Sequence, residues 1–404
     1  MHRMRQVGHV VAVVTTLSAL VACGGGSGSS SNSTNNSSGG GGTTASAIYT
    51  MTPLVASSSA ITALQTDAHL VNAWGLAFNP TADAWIANAG TSTSTIYDGN
   101  GTAMAPYSGG PSSIAIAAGT SGTAEPTGVV FNATSQFVIN SGANSAPASF
   151  LFATLGGTIE GWAQGADPNS AVIAYDGSGK GSMYTGLTMA KDSSGNIFLY
   201  AADFKNATVD VFTASFALQP VGGAFFDAAI PPGYAPYGIQ NIPASNGSAQ
   251  IYVTYAEPAN TAQHVTMGAG LGYVAVFDAD GTLITTLVSK GALNAPWGVA
   301  LAPSNFGPLS GALLVGNFGD GAINAYNPTT GASMGPLMLT SSQQLFISGL
   351  WSLQFGNGVS GSSQPTNTLF FTAGPNGEAA GQYGRIDMTG TYTPPSNGGG
   401  SMGY

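Results

Sequence analysis

Apolar residues along this chain come in short runs of about four to seven, without the spacing of an amphipathic helix, and Gly, Pro, Asn or Asp bound each run. Runs of that length and punctuation predict β-strands. The runs also recur. Six of them are built alike: Ala73-Trp74-Gly75-Leu76-Ala77-Phe78, Pro126-Thr127-Gly128-Val129-Val130-Phe131, Tyr184-Thr185-Gly186-Leu187-Thr188-Met189, Pro236-Tyr237-Gly238-Ile239-Gln240, Pro296-Trp297-Gly298-Val299-Ala300-Leu301 and Leu350-Trp351-Ser352-Leu353-Gln354-Phe355. The central Gly, replaced by Ser352 in the last, repeats at intervals of 53, 58, 52, 60 and 54 residues. An interval somewhat above roughly 40–50 residues fits one four-stranded propeller blade with a long loop.

A second and a third apolar run follow each first one. The second runs are Trp85-Ile86-Ala87-Asn88, Phe137-Val138-Ile139-Asn140, Tyr200-Ala201-Ala202-Asp203, Tyr252-Val253-Thr254-Tyr255, Leu314-Val315-Gly316-Asn317 and Leu369-Phe370-Phe371-Thr372. Thr158-Ile159-Glu160-Gly161-Trp162 and Val209-Asp210-Val211-Phe212 exemplify the third. The pattern predicts an all-β, six-bladed β-propeller over residues 48–390. Its sixth blade runs out after three strands, so the opening segment 49–57 is expected to supply the missing outer strand and close the ring. The repeated Gly is expected where inner strands crowd the axis, because a missing Cβ permits close backbone approach.

Composition changes this picture at the ends of the chain. Arg3 and Arg5 precede an apolar stretch of 11 residues, Val10 to Leu20, too short to span a membrane and of the length of a signal-peptide core. It ends in Leu20-Val21-Ala22-Cys23, which resembles the bacterial lipobox, so residues 1–22 are expected to be a lipoprotein signal peptide and Cys23 the lipidated residue. Cys23 is the only cysteine of the 404 residues, which excludes an intrachain disulfide. The rest of 23–47 is almost entirely Gly, Ser, Thr, Asn and Ala, a flexible tether, and 391–404 is expected to be a disordered Gly-rich tail. Gly24 after the cysteine implies an outer-membrane lipoprotein of a bacterial envelope, facing the periplasm or the cell surface, with the membrane as one partner through its lipid.

Charge excludes one class of partner. Beyond residue 22 there are 5 basic residues against 17 acidic ones, a net charge of −12, with no basic cluster, so nucleic acid is not expected. The catalytic inventory is small. His69 and His264 lie in loops of different blades, no G-x-S-x-G elbow follows a strand, and Glu125, Glu160, Glu257 and Glu378 show no paired spacing. The most suggestive set is a channel-mouth ring of oxygens closing the second runs: Asn88, Asn140, Asp203 and Asn317. Such oxygens suit a hard cation such as Ca²⁺, and they equally suit bonds to turn amides. Trp74, Trp297 and Trp351 open their inner runs, placed either to stack a flat ligand such as a sugar or to pack between blades.

Two resemblances follow. Leu70-Val71-Asn72-Ala73-Trp74-Gly75-Leu76-Ala77-Phe78-Asn79-Pro80, Ala235-Pro236-Tyr237-Gly238-Ile239-Gln240-Asn241-Ile242 and Leu313-Leu314-Val315-Gly316-Asn317-Phe318-Gly319-Asp320-Gly321 resemble an uncharacterised bacterial family of exported six-bladed, NHL-like propellers, some members of which carry PEP-CTERM sorting tails. That resemblance covers about residues 48–390 and implies the fold without an activity. The oxygen ring is similar to that of gluconolactonase-like propellers, which would imply a Ca-dependent lactonase in the central channel. Against these stand a binding or interaction module with an envelope protein or saccharide as ligand, and a structural surface or matrix protein.

Overall fold

The computed structural model describes residues 48–260 and 264–389. The signal segment 1–22, Cys23 with the tether 23–47, and the tail 391–404 lie outside the described residues.

Six small antiparallel sheets form the six blades. Blade 1 runs from the axis outward as Ala73–Phe78, Ala84–Asn88, Thr93–Tyr97 and Ser113–Ala115. Blade 4 is Ala235–Asn241, Ile251–Ala256, Tyr273–Phe277 and Leu283–Ser289, and blade 5 is Pro296–Leu301, Leu313–Asn317, Ile323–Tyr326 and Ser333–Pro336. Blade 3 has three strands, Tyr184–Lys191, Ile197–Asp203 and Thr208–Phe212. Its outer position holds only an isolated bridge between Phe212 and Leu218 and a bond from the Gln219 amide to the Val211 carbonyl.

Blade 2 corrects one expectation. Its second strand is Phe150–Thr154, paired on one side with Pro126–Phe131 and on the other with Thr158–Trp162. The run ending in Asn140 instead forms an inserted hairpin, Val138–Ser141 with Asn144–Pro147. Both segments have strand composition, and periodicity cannot tell a blade strand from an insertion of the same composition.

Blade 6 closes the ring as expected. Tyr49–Ala56 lies antiparallel outside Gln382–Met388, with a register shift between Pro53 and Val55 where Pro has no amide hydrogen to give the ladder. Arg385 locks this seam. Its guanidinium holds Asp387 by two bonds (2.7 and 2.6 Å), donates to the carbonyls of Gly99 in blade 1 and Ser363, and lies over the Phe370 ring.

Burial follows from the ring. Six apolar clusters each fill the space between two successive blades, and a seventh fills the axis. The inner-strand glycines make this closeness possible. A Cβ on Gly75 would sit 2.3 Å from the Thr127 carbonyl oxygen of the next blade, one on Gly238 2.2 Å from that of Trp297, and one on Gly298 2.4 Å from that of Trp351. Hydroxyls add bonds between neighbouring inner strands: Thr127 Oγ1 donates to the Tyr184 carbonyl and Thr185 Oγ1 to that of Tyr237, each at 2.7 Å. Between blades 1 and 2 lies Glu160, with no exposed surface; it accepts from the Ala117 amide (3.0 Å) and from Thr158 Oγ1 (2.8 Å). Among the described residues no helix is long and apolar enough to cross a membrane.

Two expectations follow. Gly238→Ala should lower stability by about 1–3 kcal/mol through overpacking, whereas Gly222→Ala, whose added Cβ meets nothing within 4 Å, should leave the melting temperature unchanged. Equal melting of the two variants would remove the crowding argument. Burial pushes the Glu160 carboxyl up from 4.5 to about 7, so the folded state holds a proton there that the unfolded state releases. Its stabilisation is complete below 4.5 and is lost as pH rises through about 7. Urea midpoints should therefore fall between pH 5 and pH 8, by up to a few kcal/mol in free energy, and Glu160→Gln should reduce that fall.

Candidate functional site

The inner strands begin, and the second strands end, on one face, here the mouth face. Register places six residues equivalently there: Asn88 opposite Ala73, Thr154 opposite Pro126, Asp203 opposite Tyr184, Ala256 opposite Ala235, Asn317 opposite Pro296 and Ala373 opposite Leu350. Three of the four residues expected in the ring are therefore at matching places. Asn140 is not; it sits exposed in the inserted hairpin, and Thr154 takes its position.

The side chains at these places are engaged in turns and strands. Asn88 Nδ2 donates to Thr95 Oγ1 (3.0 Å) and Thr93 Oγ1 (3.3 Å) of the third strand. Asp203 accepts from the amides of Met183 (3.1 Å) and Asn206 (3.2 Å) and from Asn206 Nδ2 (2.8 Å), bracing the turn between its strand and the next. Asn317 Nδ2 donates to the Ala292 carbonyl (2.8 Å), which also accepts from Asn324. Three contacts to turn backbone and one to the Asn206 side chain fasten Asp203 and Asn317 locally, while the Oδ1 atoms of Asn88 and Asn317 are buried without a partner. Among the described residues no group of three or more His, Cys, Asp or Glu side chains is arranged to hold a metal ion. His69 pairs instead with Asp67 (3.0 Å) at the surface, where Asp67 also accepts from Tyr97.

Trp74, Trp297 and Trp351 meet one another on the axis. Trp351 is sandwiched between Trp74, with ring centroids 3.5 Å apart, and Phe318, at 4.1 Å. Trp297 meets both other tryptophans edge to face at about 6 Å. With exposures of 2%, 8% and 0% the three rings pack on one another, the packing role being the one of the two expected that this arrangement favours. Below this plug the channel holds a cavity of about 20 Å³, lined by Gly75, Gly128, Gly298 and Ser352 among others, room for about one water.

Buried polar groups surround the plug. Trp297 Nε1 donates across the axis to the Thr185 carbonyl (2.8 Å). Asn72, in the left-handed region at φ 48°, accepts from Trp351 Nε1 (3.0 Å) and donates to Glu378 Oε2 (2.9 Å). Burial pushes the Glu378 carboxyl up to about 7; the Asn72 amide opposes the rise and the Glu125 charge adds to it. The Tyr237 hydroxyl is held well above its ordinary value by burial and by Glu378. Glu125 and Glu378 thus come within electrostatic reach across the mouth, a proximity that their separation of more than 250 positions conceals in the sequence.

The opposite face carries a concavity of a different kind, about 200 Å³, between blades 1 and 2. Its floor is aromatic: Trp85 stacks on Phe150 at 4.0 Å and leans on Trp162 at 4.8 Å, while Phe131 meets Phe150 edge to face at 5.3 Å. Asn79, Asp83, Ser149 and Gln164 supply polar groups around it. Sequence reasoning missed this site because it placed the second strand of blade 2 in the hairpin; the usable signal was the aromatic-rich Phe150-Leu151-Phe152 directly before Thr158-Ile159-Glu160-Gly161-Trp162.

No family model matches the chain. Among solved structures, a structural genomics protein of unknown function from Bacteroides thetaiotaomicron aligns over 84% of this chain and 76% of its own at 8% identity and a TM-score of 0.50, a likeness of fold alone. Virginiamycin B lyase from Staphylococcus aureus aligns over 79% of this chain and 96% of its own at 11% identity and a TM-score of 0.43. Relatives by sequence include proteins of a virus, where a bacterial family was expected. Uncharacterized protein L690 of Acanthamoeba polyphaga mimivirus is 29% identical over 313 residues, 76% of this chain and 78% of the relative. Uncharacterized protein R648 of the same virus is 32% identical over 332 residues, 80% of this chain and 76% of its own length, and the six-bladed chain described here belongs to its family.

Proposed function

We propose that this chain is a binding module, a propeller that holds a ligand or partner, and that Cys23 tethers it by lipid to a membrane. The closed axis carries the first part. A metal-assisted lactonase in the channel needs oxygens turned to a common centre and room above them for the lactone. Here the Asp203 carboxylate accepts bonds from its turn and the tryptophans occupy the axis, while Asn88 and Asn317 bond through Nδ2 and keep Oδ1 buried without a partner, too few oxygens for a cation that takes about six to eight. What remains for recognition is the surface between and around the blades.

The anchor rests on Leu20-Val21-Ala22-Cys23 behind an 11-residue apolar core, and on the absence of any second cysteine to pair with Cys23. Gly24 supports an outer-membrane destination in a bacterial envelope.

Two measurements check these proposals. Thermal melting of the full chain is expected to be the same in EDTA and in millimolar Ca²⁺, and Asp203→Asn is expected to cost about 1 kcal/mol through weakened turn bonds. A Ca²⁺-dependent rise in melting temperature, or turnover of a lactone panel that Asp203→Asn abolishes, would return the site to the channel. Expressed in a bacterial host, the full chain should fractionate with membranes and Cys23→Ser should release it; unchanged fractionation would remove the lipid anchor.

A further inference from the structure

The inserted hairpin of blade 2 has no part in building a blade. In the other five blades the inner strand passes to the second by a loop without strands; in blade 2, Val138–Ser141 with Asn144–Pro147 stands between them, on the face opposite the mouth. One side of it is ordinary packing, with Ile139 buried in the cluster between blades 2 and 3. The other borders an open groove of about 630 Å³, walled on its far side by Thr213, Ala214 and Ser215 of a blade 3 turn. The hairpin's second strand contributes nothing to the lining, so the groove runs along the outer edge of Val138–Ser141 and not over the hairpin's face.

That edge is unpaired. Along an antiparallel pair, successive residues turn their backbone N–H and C=O alternately toward the partner strand and away from it. The Ala148 amide donates to the Phe137 carbonyl (3.0 Å), and Ile139 and Ser141 share the phase of Phe137, so these three face the hairpin's second strand. Val138 and Asn140 therefore turn both N–H and both C=O groups toward the groove, and none of the four is bonded among the described residues. The walls are set before any ligand arrives. Phe137 and Phe216, which adjoin them in the chain, meet edge to face with ring centroids 5.5 Å apart, and the Ala217 amide donates to Thr213 Oγ1 (3.2 Å).

We propose that this groove takes an extended segment of another protein as an added strand, hydrogen-bonded along Val138–Ser141. The exposed groups identify the occupant by its backbone: donors and acceptors at every second residue of a strand edge are met in full by a polypeptide that is itself extended. The lining narrows its side chains. Gln136, Val138, Asn140, Thr213, Ala214 and Ser215 carry no charge, and the chain beyond residue 22 has a net charge of −12, so the segment is uncharged within the groove and not acidic around it. The volume lies within the roughly 300–1,000 Å³ of ligand pockets, room for a few residues of such a strand. A second copy of this chain does not fit, because its own edge is recessed behind the same wall and two recessed edges do not reach each other. The outer edge of blade 3 does not compete, since Leu218 and Gln219 already occupy part of it. This assignment rests on the binding-module function proposed above and gives it a site and a partner class.

The test selects ligands for the full chain from a display library of random peptides of about twelve residues and measures the selected peptides, made synthetically, by calorimetry. At least one should bind. Asn140→Pro removes an outward N–H and leaves the hairpin's own bonds in place, so it should weaken binding by about tenfold or more at an unchanged melting temperature. Asn140→Ala keeps the backbone and should stay within about threefold of the wild type. A second check leaves the protein untouched: methylating the peptide's amide nitrogens at one set of alternate residues should abolish binding, and methylating the other set should weaken it far less. Failure to select any peptide that binds overturns the proposal, as does equal loss from both methylated sets. So does a loss in Asn140→Ala as large as that in Asn140→Pro, which would make the side chain and not the edge the contact. Peptides that bind Asn140→Pro as well as the wild type overturn this site and leave the binding module standing, whereas Asp203-dependent lactone turnover would overturn that function, so the two proposals fail separately.

Discussion

Everything in this molecule follows from six inner strands having to meet around one axis. At that radius a side chain at the crossing point collides with the neighbouring backbone, and five of the six blades answer with Gly, leaving 2.2–2.4 Å where a Cβ on Gly75, Gly238 or Gly298 would have met a carbonyl oxygen. The same closeness lets Thr127 and Thr185 bond the next strand directly. It also decides what happens above the crossing. Residues flanking each Gly converge, and when three of them are Trp and one is Tyr, apolar burial stacks them on one another.

That stack moves the functional question away from the channel. A propeller with an open axis can gather ligands from all blades around a common centre; this one has spent its axis on packing. Its polar second-strand ends bond turns and neighbouring strands, as the bonds from Asn206 to Asp203 and from Asn88 to Thr95 illustrate. Concavities lie in the gap between blades 1 and 2, between the inserted hairpin and Thr213–Ser215 (about 630 Å³), and on the outer side of blade 3, where a third strand has only one bridge beyond it.

Closure is handled by chemistry different from that of the rest of the ring. Elsewhere a blade is one continuous segment; blade 6 joins strands more than 300 residues apart, Tyr49–Ala56 with Gln382–Met388. In a chain with only 5 basic residues beyond position 22, the sole Arg among them stands at this seam, bonded to Asp387, Gly99 and Ser363. A bidentate guanidinium fixes geometry as well as charge, which suits a joint that chain connectivity does not enforce.

The all-β class, the count of six blades, the crowding role of the glycines and the clasp by the first strand were legible in the sequence, because strand length, turn punctuation and a period of 52–60 residues are local properties that repeat. The strand-like run at Asn140 was misplaced for the same reason: an inserted hairpin has the same local chemistry as a blade strand, and only its pairing partner distinguishes them. Which way a side chain faces, and what fills the space beside it, were not local. Trp74, Trp297 and Trp351 lie at equivalent positions 53 or more residues apart, and only convergence on the axis turned them toward each other instead of toward a ligand. Trp85, Phe150 and Trp162 became the floor of a pocket only when blades 1 and 2 were set side by side, because a concavity belongs to two surfaces and no single stretch of chain encodes it.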